Sequence, residues 1–219
     1  MKPEIIITED GSHTLYVREL DEHYHSIFGA VTESRHVFIN AGLRAANGNH
    51  LEILEMGFGT GLNALLTLAE ISESGQTVSY IGIEKYPLED EILSSLNYTR
   101  FVSGIGEDLL QKIQGSPWNR KTSITEHFIL NKIRGDIFDL DLYNRFELVY
   151  FDAFSPDKQP ELWTSEIFSR IYHSMKHGSI LTTYSSKGTI RQNLSEAGFR
   201  TEKLPGPPGK REMTRAIKE

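Results

Sequence analysis

The chain has 219 residues, 38% of them hydrophobic, with a net charge of −7 and no cysteine; this is enough for one sizeable core and excludes a disulfide framework or thiolate metal site. No apolar run approaches the roughly 20 residues of a membrane span, and Met1-Lys-Pro-Glu4 has no apolar signal region, so a cytoplasmic protein is expected. Ser185 to Glu219 holds eight Lys/Arg against four Asp/Glu, a net of +4 that leaves −11 on the rest, which argues against broad nucleic-acid adhesion while allowing a local basic surface.

Residues 1 to 45 do not alternate strand and helix. Ile5-Ile6-Ile7 and Leu15-Tyr16-Val17 flank Asp10-Gly11-Ser12, which predicts a hairpin. The segments Asp21-Glu22-His23-Tyr24-His25-Ser26 and Glu33-Ser34-Arg35-His36-Val37-Phe38-Ile39 follow. This polar, aromatic prefix reads either as a lid over a site or as an edge hairpin with a packing helix. His23, His25 and His36 gather no cysteine and no carboxylate cluster, so no metal is expected.

Leu51 to Met56 is a short apolar run that predicts a buried strand. Gly57, Gly59 and Gly61 then fall at alternate positions, and Leu62, Leu65, Leu66, Ala69 and Ile71 recur at helical spacing. Strand, glycine turn and helix together are the nucleotide-binding start of a doubly wound α/β sheet. A P-loop would need Gly-Lys-Ser/Thr, and Gly61 is followed by Leu62. A dinucleotide fingerprint would place the third glycine one residue later. An acid followed by Gly-x-Gly-x-Gly, as in Glu55 to Gly61, is the form common in S-adenosylmethionine methyltransferases. A glycine turn that serves geometry alone also remains open here.

Val78 to Glu84 predicts the second strand, ending in an acid placed to accept hydrogen bonds from two ribose hydroxyls. A helix over Leu88 to Leu96 precedes a region broken by Gly104, Gly106, Gly115 and Pro117. His127 to Ile133 predicts a third strand leading into Gly135-Asp136, where the acid is either a ligand for an adenine amino group or a helix N-cap. Phe146 to Phe151 is the fourth, leaving through Asp152-Ala153-Phe154-Ser155-Pro156. An acid at that strand end faces the ligand crevice of such a sheet, and its apolar neighbours would raise its pKa; bonding to loop N–H groups is the structural alternative. An amphipathic helix over Glu161 to Met175 is ended by Gly178. A strand at Ser179 to Tyr184, a helix at Thr189 to Ala197, strands at Phe199 to Leu204 and Glu212 to Lys218, and the rigid turn Pro205 to Arg211 complete the pattern. The expected division is an extension over 1–45 and a sheet domain over 46–219.

Glu55-x-Gly-Phe-Gly-Thr-Gly-Leu-Asn63, Glu84-Lys-Tyr-Pro-Leu88, Asp152-Ala-Phe-Ser-Pro156 with Glu161-Leu-Trp-Thr164, and Gly209-Lys-Arg-Glu-Met213 resemble the tRNA 5-methylaminomethyl-2-thiouridine methyltransferase family. Asp21-Glu-x-Tyr-His-Ser26 and Glu33-Ser-Arg-His-Val-Phe38 extend the likeness, which runs from about residue 10 to 216. It implies a Rossmann-like class I S-adenosylmethionine-dependent methyltransferase. The sheet would be mostly parallel and seven-stranded, with helices on both faces and a β-rich N-terminal extension. It also implies the family's stand-alone form, without the oxidoreductase to which other members are fused, acting as a monomer on a precursor made by separate enzymes. The implied reaction is N-methylation of the 5-aminomethyl group of (2-thio)uridine at the tRNA wobble position.

Carried over, Glu55, Gly57, Phe58, Gly59, Thr60, Gly61, Asn63, Glu84, Lys85, Asp136, Ala153 and Phe154 would line the cofactor, and Asp152 would sit at the reacting amine. Tyr24, Arg35, Pro156, Lys187, Arg191, Lys210 and Arg211 are the candidates for tRNA contact. Two alternatives share the sheet: a small-molecule amine transferase of the spermidine-synthase type, and a binding protein that keeps the pocket without catalysis.

Overall fold

In the computed structural model, which describes residues 3–139 and 143–219, an eight-stranded mixed sheet carries helices on both faces. The N-terminal strands β1 (Glu4–Ile7), β2 (His13–Val17) and β3 (Glu22–His23) form a separate antiparallel sheet. Helix α1 (Ala30–Ser34) runs into a wider helical turn over Arg35–Asn40. The main sheet follows with β4 (His50–Met56), α2 (Leu62–Ser74), β5 (Thr77–Glu84), α3 (Asp90–Leu93) and α4 (Glu107–Gln114). It continues with β6 (Arg120–Ser123), β7 (Phe128–Arg134), β8 (Phe146–Phe151), α5 (Ser165–Ser174), β9 (Met175–Thr183), α6 (Gly188–Glu196), β10 (Phe199–Pro205) and β11 (Glu212–Lys218).

The sheet order is β10-β11-β9-β8-β4-β5-β7-β6. The pairings from β9 through β7 are parallel, and the two edges are antiparallel. The seven expected strands are all there; β6 is the eighth. It is a mostly exposed edge strand of charged and polar residues, so it offers no apolar alternation to read.

The central strands are buried on both faces, with alternate residues going to opposite sides. Leu51 and Ile53 of β4 and Leu148 and Tyr150 of β8 pack with α2 and α4 on one face. Leu54, Met56, Val149 and Phe151 pack with α5 and α6 on the other. The helical segment after the hairpin does not stand apart: Ala30, Val31, Val37, Phe38, Ile39 and Leu43 belong to the same core as β4 and α2.

Two local readings change. The helix expected over Leu88 to Leu96 is reduced to α3, four residues long. Gly178 does not end α5, which stops at Ser174 with the Met175 N–H bonded to the Tyr172 carbonyl. It lies inside β9 at φ +77°, where the pairing with β8 shifts register between Phe146 and Leu148. The left-handed residue here makes a bulge, a use of glycine that resembles a helix stop in sequence.

Candidate active site

The parallel strands β4, β5 and β8 end on one side of the sheet, at the point where the chain order reverses about β4, and a cavity of about 640 Å³ opens there. The glycine turn forms its floor. Gly57, Gly59 and Gly61 all take positive φ, at 87°, 49° and 80°, which only glycine adopts without strain. Close approach adds a second demand at Gly57: a Cβ there would lie 2.5 Å from the Asp152 carbonyl oxygen. The turn is pinned by N–H bonds from Gly57 and Phe58 to the Ile83 carbonyl, at 3.1 and 3.0 Å. The Phe58 ring lies over Gly82, where a Cβ would meet it at 2.3 Å.

Glu84 closes β5. Its carboxylate accepts from the Gly59 N–H at 3.1 Å and the Tyr86 N–H at 2.9 Å. Burial raises its pKa, and those backbone bonds oppose the shift. A carboxylate has about four lone-pair sites, so two adjacent ligand hydroxyls can be accepted as well. Lys85 and Asp136 stand beside it, 3.4 Å apart, on the same wall.

Asp152 follows β8, its N–H held by the Met56 carbonyl at 2.9 Å. It lines the cavity and is half-buried. Burial pushes its pKa up to about 7, against an opposing hydrogen bond from Asn63. The Asn63 amide nitrogen, on α2, donates at 2.8 Å to Asp152 Oδ2 and at 2.8 Å to Glu55 Oε1. Glu55 is fully buried; burial, then the nearby Asp152, raises its pKa strongly. A neutral Glu55 leaves Asp152 as the carboxylate of the pair that charges near neutral pH.

The far wall comes from the N-terminal segment. Leu20 and Glu22 through Ile27 line the cavity. The Tyr24 ring lies over Gly59 and meets Phe154 edge-on at 5.0 Å. His25 is buried, its pKa pulled down to about 4 by that burial, so it stands neutral. The three histidines do not converge: His23 packs on Tyr16 at 4.8 Å, while His36 Nε2 lies 2.8 Å from the Pro205 carbonyl oxygen.

Of the residues proposed from sequence, Gly57, Phe58, Gly59, Thr60, Asn63, Glu84, Lys85, Asp136, Asp152, Ala153 and Phe154 line this one cavity, as do Tyr24 and Lys210. Glu55 and Gly61 lie beneath its floor, and Arg35, Pro156, Lys187, Arg191 and Arg211 lie away from its lining. Tyr184 and Lys132 carry no signal in the sequence, and Glu33 stands there only within a segment of the likeness. Glu33 and Tyr184 join the wall from distant segments. The buried Lys132 holds the Gln114 carbonyl, while the Gln114 side chain holds the Thr60 carbonyl at 3.1 Å, bracing the glycine turn from behind.

Glu84→Ala is expected to weaken cofactor binding roughly 10- to 100-fold, because it removes a charged acceptor and frees the Gly59 N–H; isothermal titration with S-adenosylmethionine reads this directly, and an unchanged Kd would remove Glu84 from the cofactor site.

A model of the S-adenosyl-L-methionine-dependent methyltransferase family matches residues 104–219. Curated relatives named tRNA 5-methylaminomethyl-2-thiouridine biosynthesis bifunctional protein MnmC include one from Cupriavidus metallidurans, 32% identical over 227 residues, and one from Pseudomonas entomophila, 29% identical over 214. These alignments cover 96% and 91% of this chain and 33% of each relative, so the chain spans about a third of their length. The crystal structure of MnmC2 from Aquifex aeolicus superposes with a TM-score of 0.81 at 30% identity, covering 99% of this chain and 70% of that one. Spermidine synthase from Thermotoga maritima, at TM-score 0.54 and 12% identity over 94% of this chain and 68% of its own, shares the fold alone. Where a bare glycine turn, an acid at the end of β5 and a carboxylate at the end of β8 face one cavity, that match over more than half the length has a structural basis, and the chain belongs to the S-adenosyl-L-methionine-dependent methyltransferase family, alongside MnmC2.

Proposed function

We propose that this methyltransferase acts on the primary amine of 5-aminomethyl-(2-thio)uridine at the tRNA wobble position, giving 5-methylaminomethyl-(2-thio)uridine. The observation that carries the reading is Asp152, a carboxylate with a pKa raised to about 7, opening on the same cavity as the glycine turn. The names of the relatives, which this chain matches over nearly all its length, supply the substrate class.

Gly57, Gly59, Glu84 and Asp136 would hold the cofactor, which supplies an electrophilic methyl carbon whose bond to sulfur breaks with the electron pair left on sulfur. Asp152 orients the amine and takes its proton. Transfer from an amine of Lys-like pKa to an ordinary Asp is uphill by roughly 9 kcal/mol, and to an acceptor near 7 by roughly 5 kcal/mol. The raised pKa therefore removes about half of the proton-transfer cost while leaving Asp152 largely ionised at pH 8. Tyr24, Phe154 and the rest of the far wall exclude water and offer aromatic faces to an extruded base. In this reading the enzyme works in the cytoplasm as a monomer, without a metal, on an aminomethyl precursor made by separate enzymes.

The test is methyl incorporation from labelled S-adenosylmethionine into total tRNA, polyamines and protein in parallel. Label at the wobble uridine is the expected result; label in polyamines instead, or in none of the three, would overturn the substrate assignment.

Lys187, Arg191, Arg211 and Arg35 are the cations proposed to meet tRNA phosphates. Lys187 is paired with Asp157 at 2.5 Å on the exposed surface, a pairing too weak there to withhold it. Arg211→Ala is expected to weaken tRNA binding and to reduce the slope of log K against log salt by about 0.7 to 0.9, with cofactor affinity unchanged. A tRNA Kd that does not depend on salt would remove these residues from the interface.

A further inference from the structure

Lys210 reaches into the cavity instead of outward. Its ammonium lies 2.6 Å from Glu33 Oε1 and 4.1 Å from the centre of the Tyr184 ring. Glu33 is 7% exposed, and its other oxygen accepts from the Ser26 N–H at 2.8 Å. The Tyr184 hydroxyl donates to the Ala153 carbonyl at 2.9 Å, one residue beyond Asp152. Helix α1 and the turn before β11 thus place an ion pair, and the residue after β9 an aromatic face, on the cavity that Asp152 also lines. An ammonium released there would share the cavity with Asp152, and an opposite charge nearby lowers the basicity of a carboxylate. Glu33, Lys210 and Asp152 line the same cavity, so the two charges bear on Asp152 in opposite directions.

We propose that Glu33 is a positioning residue that holds the Lys210 ammonium away from Asp152, so that Asp152 keeps the basicity it needs to take the proton of the substrate amine. The proposal rests on the amine-methylation reading above. In the step it serves, one proton passes from the substrate ammonium to the Asp152 carboxylate, and the lone pair left on nitrogen becomes the nucleophile. Other charged or titratable groups share the cavity or its floor: Glu55 on β4, Glu84 on β5 with Lys85 and Tyr86 after it, Asp136 after β7, Lys158 and Glu161 after β8, Tyr184 after β9, and Glu22, His23, Tyr24 and His25 in the N-terminal segment. None of these is changed in the test.

The test is a carbon-13 NMR titration of the Asp152 carboxyl in the ligand-free full chain, with Asp152→Asn used to assign the signal. Glu33→Gln keeps an oxygen for the Ser26 N–H, frees Lys210 and is expected to lower the titration midpoint by about one unit. Lys210→Met leaves the Glu33 charge uncompensated and is expected to raise the midpoint by about as much. The double variant returns to within about 0.3 unit of wild type if the two effects have one origin. Opposite shifts that cancel support the proposal; no shift, shifts of one sign, or shifts that do not cancel overturn it. Should the Glu33 variant fail to fold, a midpoint that does not rise in Lys210→Met overturns it alone. The titration uses neither cofactor nor tRNA, so its outcome is independent of the labelling experiment that tests the substrate.

Discussion

Asp152→Asn is expected to lower kcat by roughly 10²- to 10⁴-fold, the range for loss of a positioned proton acceptor, while the Kd for S-adenosylmethionine stays within about twofold, because the glycine turn and Glu84 are untouched. Asparagine still accepts the Asn63 hydrogen bond and can still orient an ammonium; it cannot take the proton. The pH profile separates these roles. Asp152 must be ionised to accept, and its pKa is about 7, so wild-type kcat/KM should fall as pH drops through 7, and the variant should lose that limb. Stability moves the other way. A carboxyl whose folded-state pKa lies above its unfolded value near 4 adds stability that is fully present below pH 4 and lost as pH rises through 7. At pH 8 ligand-free Asp152→Asn should therefore melt no lower than wild type. A variant that retains turnover, or one that melts well below wild type, would contradict the role assigned to Asp152.

Gly57→Ala should have the larger structural effect. The new methyl would sit at φ +87°, which costs about 1–2 kcal/mol for a non-glycine residue. It would also lie 2.5 Å from the Asp152 carbonyl oxygen and 3.0 Å from its carbon. Both neighbours are backbone, so relief requires the exits of β4 and β8 to part. That motion moves Asp152 and the cofactor floor together. We expect cofactor affinity to fall at least 100-fold, with a Tm loss on the order of 10 °C if the total reaches about 3 kcal/mol. Gly75→Ala is the control. It too sits at positive φ, 74°, but a Cβ there meets nothing within 4 Å. It should lower Tm by a few degrees and leave the cofactor Kd unchanged. Equal effects of the two substitutions on cofactor binding would show that backbone strain, and not the close approach to Asp152, makes Gly57 necessary.

The strand–glycine–helix start at Leu51 to Ile71, the acid closing β5 and the acid leaving β8 were all legible in the sequence. Each is a local pattern: apolar period, glycine position, and an acid at a strand end. The seven strands of the main sheet were legible for the same reason. Tertiary structure decided what depends on partners far along the chain. Register alone recruits β6, whose polar residues carry no period, and turns Gly178 into a bulge. Packing turns Glu55 inward to Asn63 and away from the cavity. It draws Lys210, which reads as a surface cation in a basic C-terminal stretch, onto Glu33 across 177 residues. Side-chain chemistry and spacing define which groups a chain can offer, but the charge state and direction of each group depend on neighbours that only the folded sheet brings within a few ångströms.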